Sequence, residues 1–173
     1  MAELSEEQLR IRGYLQGQAA KLSVHDLIVK VRADSAQLRE AALAAEEGDW
    51  MAAPAAGEWS ANDVLGHVVS TCNDIYAGIL GALEAGVRAR ALPDALRHEQ
   101  AGKRPSAWWD ELSVAREALF ARLETAAGDE HLDAVWAHPF FGDLNWREWL
   151  LFLRIHDLDH AGQIVAIVAS ERA

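Results

Sequence analysis

Helix-start signals recur along this chain, and they constrain its fold more than any other feature. In each of them a serine or asparagine stands three residues before an acidic or amide side chain, which is the capping-box pattern. Alanine, leucine, glutamate and arginine fill the segments that follow, whereas strand-like alternation is scarce. The signals are Ser5 with Gln8, Ser23 with Asp26, Ser60 with Asp63, and Asn145 with Glu148. The sequence therefore predicts an all-α fold.

The pattern divides the chain into five predicted helices and three connections. With 173 residues, of which 51% are hydrophobic, the chain can bury the core of one domain. Glycine, proline and irregular spacing mark the connections, which are Asp49 to Glu58, a segment holding Pro93, Gly102 and Pro105, and an ordered loop from Asp129 to Leu144. The helices are predicted from Ser5 to about Ala20, Ser23 to Gly48, Ser60 to Ala85, Ser106 to Gly128, and Asn145 to Ser170.

Charge and cysteine content exclude several classes of function. The formal net charge is −11, which repels phosphate backbones and anionic membrane surfaces, so we expect neither nucleic acid nor a membrane as a partner. The single cysteine, Cys72, cannot form an internal disulfide, and we expect it to be a small buried core residue. No apolar run is long enough to cross a bilayer, and the first residues do not resemble a signal peptide. These features predict a cytoplasmic protein.

Two histidines interrupt the apolar stripe of the last predicted helix. A helix advances 100° per residue, so this stripe consists of Trp149, Leu153, His156, His160, Ile164 and Ile167. A buried imidazole needs partners for its ring nitrogens, because an unpaired buried polar group costs on the order of 1–3 kcal/mol. Histidines four residues apart lie side by side on one helix face and can ligate one metal ion.

A third histidine, His67, lies at the inner edge of the apolar stripe of the helix that follows Ser60. Three imidazoles from two helices around a divalent ion would leave one coordination position for water or substrate, as in catalytic sites. A metal-free polar network in the core is the alternative. The other histidines, His25, His98, His131 and His138, fall at a helix start or in connections, so we expect solvated surface positions for them.

Two further residues are candidates for chemistry beside the three histidines. Asp159 neighbours both histidines of the last helix and is a candidate general base. Gln163 adds a further polar side chain to the same helix face one turn later, so it is the second candidate. A zinc protease is excluded, because the glutamate of the H-E-x-x-H motif is absent and Asp157 points off the stripe.

These residues give the chain a family resemblance. The segment from Glu58 to His67, paired with Arg154 to Ile164, resembles the DinB/YfiT-like superfamily, and the likeness covers about Leu22 to Ser170. The resemblance implies a four-helix bundle, which we place at 22–173, and frequently a homodimer. The helix predicted after Ser5 then forms an additional N-terminal extension at 1–21. It also implies that His67, His156 and His160 hold zinc or nickel, with iron, manganese and cobalt as alternatives.

The resemblance leaves the reaction open. Some members of the superfamily resemble thiol transferases, including the mycothiol-dependent maleylpyruvate isomerase type, so a low-molecular-weight thiol such as mycothiol or bacillithiol is a candidate cofactor. Without the resemblance, a three-nitrogen metal site suggests metal-assisted hydrolysis of a small-molecule substrate. A non-enzymatic bundle that binds a metal or ligand in a stress response is the alternative to both.

Overall fold

The computed structural model describes residues 4–45, 47–92 and 102–171. Within these ranges the chain forms six helices and one two-stranded antiparallel sheet, which confirms the predicted all-α fold apart from the small sheet. The helices are α1 (Glu6–Lys21), α2 (Val24–Leu43), α3 (Glu47–Met51), α4 (Ala61–Ala85), α5 (Pro105–Leu123) and α6 (Trp146–Glu171), and the strands are β1 (Trp136–His138) and β2 (Gly142–Leu144).

Side-chain caps begin four of the helices at the predicted positions. Ser5 and Ser60 form complete capping boxes, and the Ser23 side chain accepts a hydrogen bond from the backbone of Asp26. At the start of α6 the Asn145 side chain accepts from the backbone N–H of Glu148, and the Glu148 carboxylate accepts from that of Asn145. Each cap satisfies backbone donors that the first helical turn cannot pair.

Helix α6 lies at the centre of the bundle. It packs mainly on α2 and α4, while α5 packs on α4 and α2. These four long helices enclose a continuous core of buried apolar side chains. Helix α1 packs on α6 from outside the four, burying Leu15 completely. The predicted four-helix bundle with an additional N-terminal helix is therefore confirmed.

Three helix boundaries differ from prediction, and one of them is the end of α5, which lies at Leu123 rather than at Gly128. Helix α2 ends at Leu43 rather than near Gly48, and the short helix α3 follows, burying Trp50. Helix α5 begins at Pro105, so Ser106 is not its cap; Arg104 occupies the cap position without a side-chain hydrogen bond. Proline fits the first helical position because its missing N–H would have no partner there.

The segment from Asp129 to Leu144 is not entirely loop, because it contains the β1–β2 hairpin. His138 pairs with Gly142 across this hairpin, and Gly142 has a positive φ of 71°. Trp136 stacks on Trp149 of α6 with ring centroids 5.2 Å apart, so the hairpin covers one end of the bundle as predicted for this segment.

The connection between α4 and α5 is only partly described. Residues 87–92 and 102–104 are irregular, in agreement with the prediction, whereas Pro93 and His98 lie outside the described residues. No helix within the described ranges is long and apolar enough to span a membrane.

Candidate metal centre

The structure brings His67, His156 and His160 together. His67 comes from α4 and the other two come from adjacent turns of α6, which packs directly on α4. The ring centroids are 5.7 Å apart for His67 and His156, 5.1 Å for His67 and His160, and 4.5 Å for His156 and His160. One ring nitrogen from each histidine lies within 4.8 Å of the other two.

His156 is the most deeply placed of the three. Both of its ring nitrogens are buried and have no hydrogen-bond partner among the described residues. Burial, followed by the proximity of His160 and His67, lowers the pKa of His156 well below its usual value. The ring is therefore neutral at physiological pH, which is the protonation state that binds a metal.

Neighbouring side chains contact the outer nitrogens of the other two histidines. His160 Nδ1 lies 2.9 Å from Gln163 Oε1, so its N–H donates a hydrogen bond to that oxygen, and Nε2 of the neutral ring is the nitrogen free to bind a metal. His67 Nδ1 lies 3.4 Å from Thr71 Oγ1, and the ring of Trp59 meets that of His67 edge-on at 5.0 Å. Such contacts fix the tautomer and orientation of metal-ligating imidazoles.

The three histidines fit a divalent transition metal. Zinc–nitrogen bonds of about 2.0–2.1 Å in tetrahedral geometry place ligand nitrogens about 3.4 Å apart. This separation falls within the 4.8 Å that spans the three nitrogens here. A metal-free polar network is a poorer description, because in such a network the nitrogens of His156 would be hydrogen-bonded to protein groups.

The sequence matches a known protein family over most of its length. The family model of the DinB superfamily matches residues 30–164, a range that contains all three histidines. The chain belongs to the DinB superfamily. No curated protein sequence is similar enough to this chain to count as a match.

A solved structure shows the same fold as this DinB-superfamily chain. It is YfiT from Bacillus subtilis, described as a probable metal-dependent hydrolase with an unusual four-helix bundle topology. The alignment has a TM-score of 0.66 and 17% sequence identity, and covers 99% of this chain and 91% of YfiT.

The histidines of this DinB-superfamily chain face a cavity of about 410 Å³. Helices α1, α4 and α6 and the β1–β2 hairpin all contribute to its wall, and we call it the histidine pocket. Its lining residues are Ile11, His67, Ser70, Thr71, Asp74, Leu92, His138, Pro139, Phe140, Phe141, Phe152, Ile155, His156, Asp159 and His160.

The two candidate residues beside the histidines occupy different positions. Asp159 is exposed and lines the histidine pocket, where a proton acceptor could reach a bound molecule. Gln163 is not among the lining residues, and its Oε1 contacts Nδ1 of His160. Gln163 is thus placed to orient a histidine rather than to touch a substrate.

A second group of metal-binding atoms, formed by Cys72, His156 and Asp157, is explained by an ion pair. Asp157 is completely buried and receives two hydrogen bonds from the guanidinium of Arg116, at 2.5 and 3.1 Å. Arg116 also donates to Ser35 Oγ, Tyr76 Oη and Cys72 Sγ. A cation already occupies this position, so a metal ion there would be repelled. We call Arg116 and the four side chains that accept its hydrogen bonds, those of Ser35, Cys72, Tyr76 and Asp157, the Arg116 cluster.

The position of His138 corrects the sequence analysis. We expected a solvated side chain, but His138 is only 6% exposed and lines the histidine pocket. It lies among the rings of Phe141, Phe152 and Trp149. The aromatic residues on both sides of it in sequence were a signal of burial. By contrast, His25 and His131 are exposed as predicted.

Proposed function

We propose that this protein is a divalent-metal-dependent enzyme acting on a small molecule, with the ion held by His67, His156 and His160. The observation that carries the proposal is the neutral, unpartnered ring of His156, buried beside two other imidazoles at the wall of a cavity. Structural zinc sites are closed by four protein ligands, whereas three histidines facing a cavity leave a position open.

The proposed chemistry is nucleophilic attack on an electrophilic centre of the substrate. A bound divalent ion would supply Lewis-acid chemistry and lower the pKa of a water or thiol nucleophile. Gln163 holds His160 in one tautomer, and the Thr71 hydroxyl lies 3.4 Å from Nδ1 of His67. Asp159 has its carboxylate at the pocket and would accept the proton that the nucleophile releases.

Water is the nucleophile that we favour, so hydrolysis is the first version of the proposal. The description of YfiT as a probable metal-dependent hydrolase supports this version. Transfer of a small thiol such as mycothiol or bacillithiol is the second version, and it rests on the superfamily resemblance. Cys72 cannot replace such a thiol, because it is completely buried and burial raises the pKa of its thiol.

Elemental analysis of protein purified without a nickel column tests the metal. We expect about one equivalent of a divalent transition metal in the wild type and a large loss in His156→Ala. His25→Ala is the matched control, because the His25 side chain is 64% exposed and lies outside the pocket. Equal metal content in both variants would contradict the proposed ligand set.

Activity assays separate the two versions of the reaction. Metal-loaded protein should be tested on panels of esters, amides and electrophilic acceptors, each with and without added thiol. Turnover without thiol supports hydrolysis, and turnover that requires thiol supports transfer. The assays are repeated with protein loaded in turn with zinc, nickel, iron, manganese and cobalt. If none of these samples turns over any substrate, with or without thiol, the protein is instead a non-enzymatic metal-binding bundle.

A further inference from the structure

One part of the histidine pocket, formed by the β1–β2 turn and the facing side of α6, is apolar and mainly aromatic, and we call it the aromatic wall. Pro139, Phe140 and Phe141 come from the turn, and Phe152 and Ile155 come from α6. Phe140 is 52% exposed, which is unusual for an aromatic side chain and leaves its ring available to a bound molecule. Such a wall favours an apolar group.

One polar side chain, His138, is set into this aromatic wall in a fixed orientation. Its ring stacks on Phe141 with centroids 4.5 Å apart and meets the ring of Phe152 edge-on at 4.4 Å. Its Nδ1 accepts a hydrogen bond of 3.0 Å from the backbone N–H of Phe140. Because Nδ1 is the acceptor, the proton of the neutral ring resides on Nε2. Burial lowers the pKa of His138 to about 4, which keeps the ring neutral at physiological pH.

The Nε2–H donor of His138 has no protein acceptor among the described residues. Unlike the ring nitrogens of His156, it is not among the fully buried polar atoms without a partner, and His138 lines the histidine pocket. A donor with a fixed direction in an apolar wall is the usual device by which a binding site selects one acceptor on its ligand. Leaving such a donor without a partner in a complex is unfavourable, so it discriminates against ligands that lack the acceptor.

The charges around the pocket disfavour an anionic group at this wall. Among the described lining residues, Asp74 and Asp159 carry negative charge and no lysine or arginine is present. A divalent ion at the three histidines would attract an anion to that end of the pocket. At the aromatic wall, by contrast, none of the described lining residues would offer a cation to a carboxylate.

We propose that the non-reacting part of the substrate is an uncharged aryl or alkyl group bearing a carbonyl or ether oxygen, and that His138 binds this oxygen through Nε2–H. The inference rests on the proposed function, which places the reacting group of the substrate at the three histidines. At the aromatic wall, His138 determines which substrates bind.

Affinities of hydroxamates for zinc-loaded protein test the proposal. The hydroxamate binds zinc, and the para substituent of its phenyl ring is varied among acetyl, the similarly shaped isopropyl, and carboxylate. Benzohydroxamates and the longer phenylacetohydroxamates are both measured by calorimetry, so that two reaches are sampled. In at least one of these two series we expect the acetyl compound to bind more tightly than the isopropyl and carboxylate compounds. His138→Phe should weaken it about three- to tenfold and leave the isopropyl compound unchanged.

A second variant distinguishes loss of the N–H donor from a change in packing. His138→Gln retains an N–H donor near the position of Nε2, and it should restore most of the preference for acetyl over isopropyl. A long-range ¹H–¹⁵N NMR spectrum of the wild type should show the His138 proton on Nε2. A proton on Nδ1, or equal affinities for acetyl and isopropyl compounds at both lengths, would overturn the proposal, as would preferred binding of the carboxylate.

Failure of the metal site is distinguished by zinc analysis of the same samples. If zinc binds and the hydroxamates do not depend on His138, this inference fails and the proposed function stands. If zinc does not bind, the proposed function fails. The wall is then tested on metal-free protein by NMR titration with 4-methylacetophenone and 4-isopropyltoluene: preference for the ketone, lost in His138→Phe, supports the inference, and equal binding overturns it.

Discussion

Asp157→Asn should destabilise this protein strongly, although the substitution changes hardly any volume. The carboxylate of Asp157 is completely buried, and Arg116, whose side chain is 4% exposed, donates to both of its oxygens. Coulomb attraction from Asp157 raises the pKa of Arg116 well above its usual value against the effect of burial, so the guanidinium stays charged. In the variant a buried cation has no counter-charge, which lowers the free energy of unfolding by about 3–5 kcal/mol.

The surface ion pair between Arg122 and Glu84 provides a matched control. Its closest nitrogen–oxygen distance is 2.6 Å, comparable to that of the buried pair, but its side chains are 58% and 48% exposed. Glu84→Gln should therefore lower the free energy of unfolding by less than about 1 kcal/mol. Burial, rather than the contact distance, accounts for the expected difference between the two substitutions.

Urea denaturation followed by far-ultraviolet circular dichroism measures both variants, with a chelator present so that bound metal adds nothing to stability. For a chain of this size the loss in Asp157→Asn corresponds to a fall in Tm of about 6–20 °C. The double variant Arg116→Met with Asp157→Leu, which removes both charges, should recover most of the loss. The reasoning is refuted if Asp157→Asn is no more destabilising than Glu84→Gln.

Three further predictions address other parts of the structure. Gln163→Ala removes the acceptor that orients His160 and should weaken metal binding about 10- to 100-fold in a chelator competition, whereas Gln163→Glu should retain it. His138 has a pKa of about 4 in the folded protein against 6.5 ordinarily, so the unfolded state takes up a proton first as the pH falls. Stability should therefore decline by about 3 kcal/mol between pH 6.5 and 4 on this account, and the decline should be smaller by that amount in His138→Phe. Gly86→Ala should lower the free energy of unfolding by about 1–2 kcal/mol, because Gly86 has φ +63° and its added Cβ would lie 2.9 Å from a side-chain nitrogen. In the same denaturation assay Gly81→Ala inside α4 should be neutral or stabilising, because its added Cβ would make only one ordinary van der Waals contact, at 4.0 Å.

Local sequence determined the helices and the inward-facing histidines. Caps such as Ser60 with Asp63 act over three residues, and the helical period alone places His156 and His160 on one face, so both features follow without knowledge of the fold. His67 was identified by the same reasoning on α4. What the period could not give was the convergence of His67 with the other two, because that depends on how α4 packs on α6.

Tertiary structure alone decided the position of His138 and the Arg116 cluster. The strands of the β1–β2 hairpin are three residues long, and the aromatic side chains around His138 come from α6 as well as from the hairpin itself. Arg116 and Asp157 are 41 residues apart in the chain, and they lie on different helices, α5 and α6. The aromatic neighbours of His138 in sequence favour its burial, but both burials are completed only by packing between distant segments. The helical faces are thus properties of the sequence, whereas the polar groups enclosed between those faces are properties of the assembled bundle.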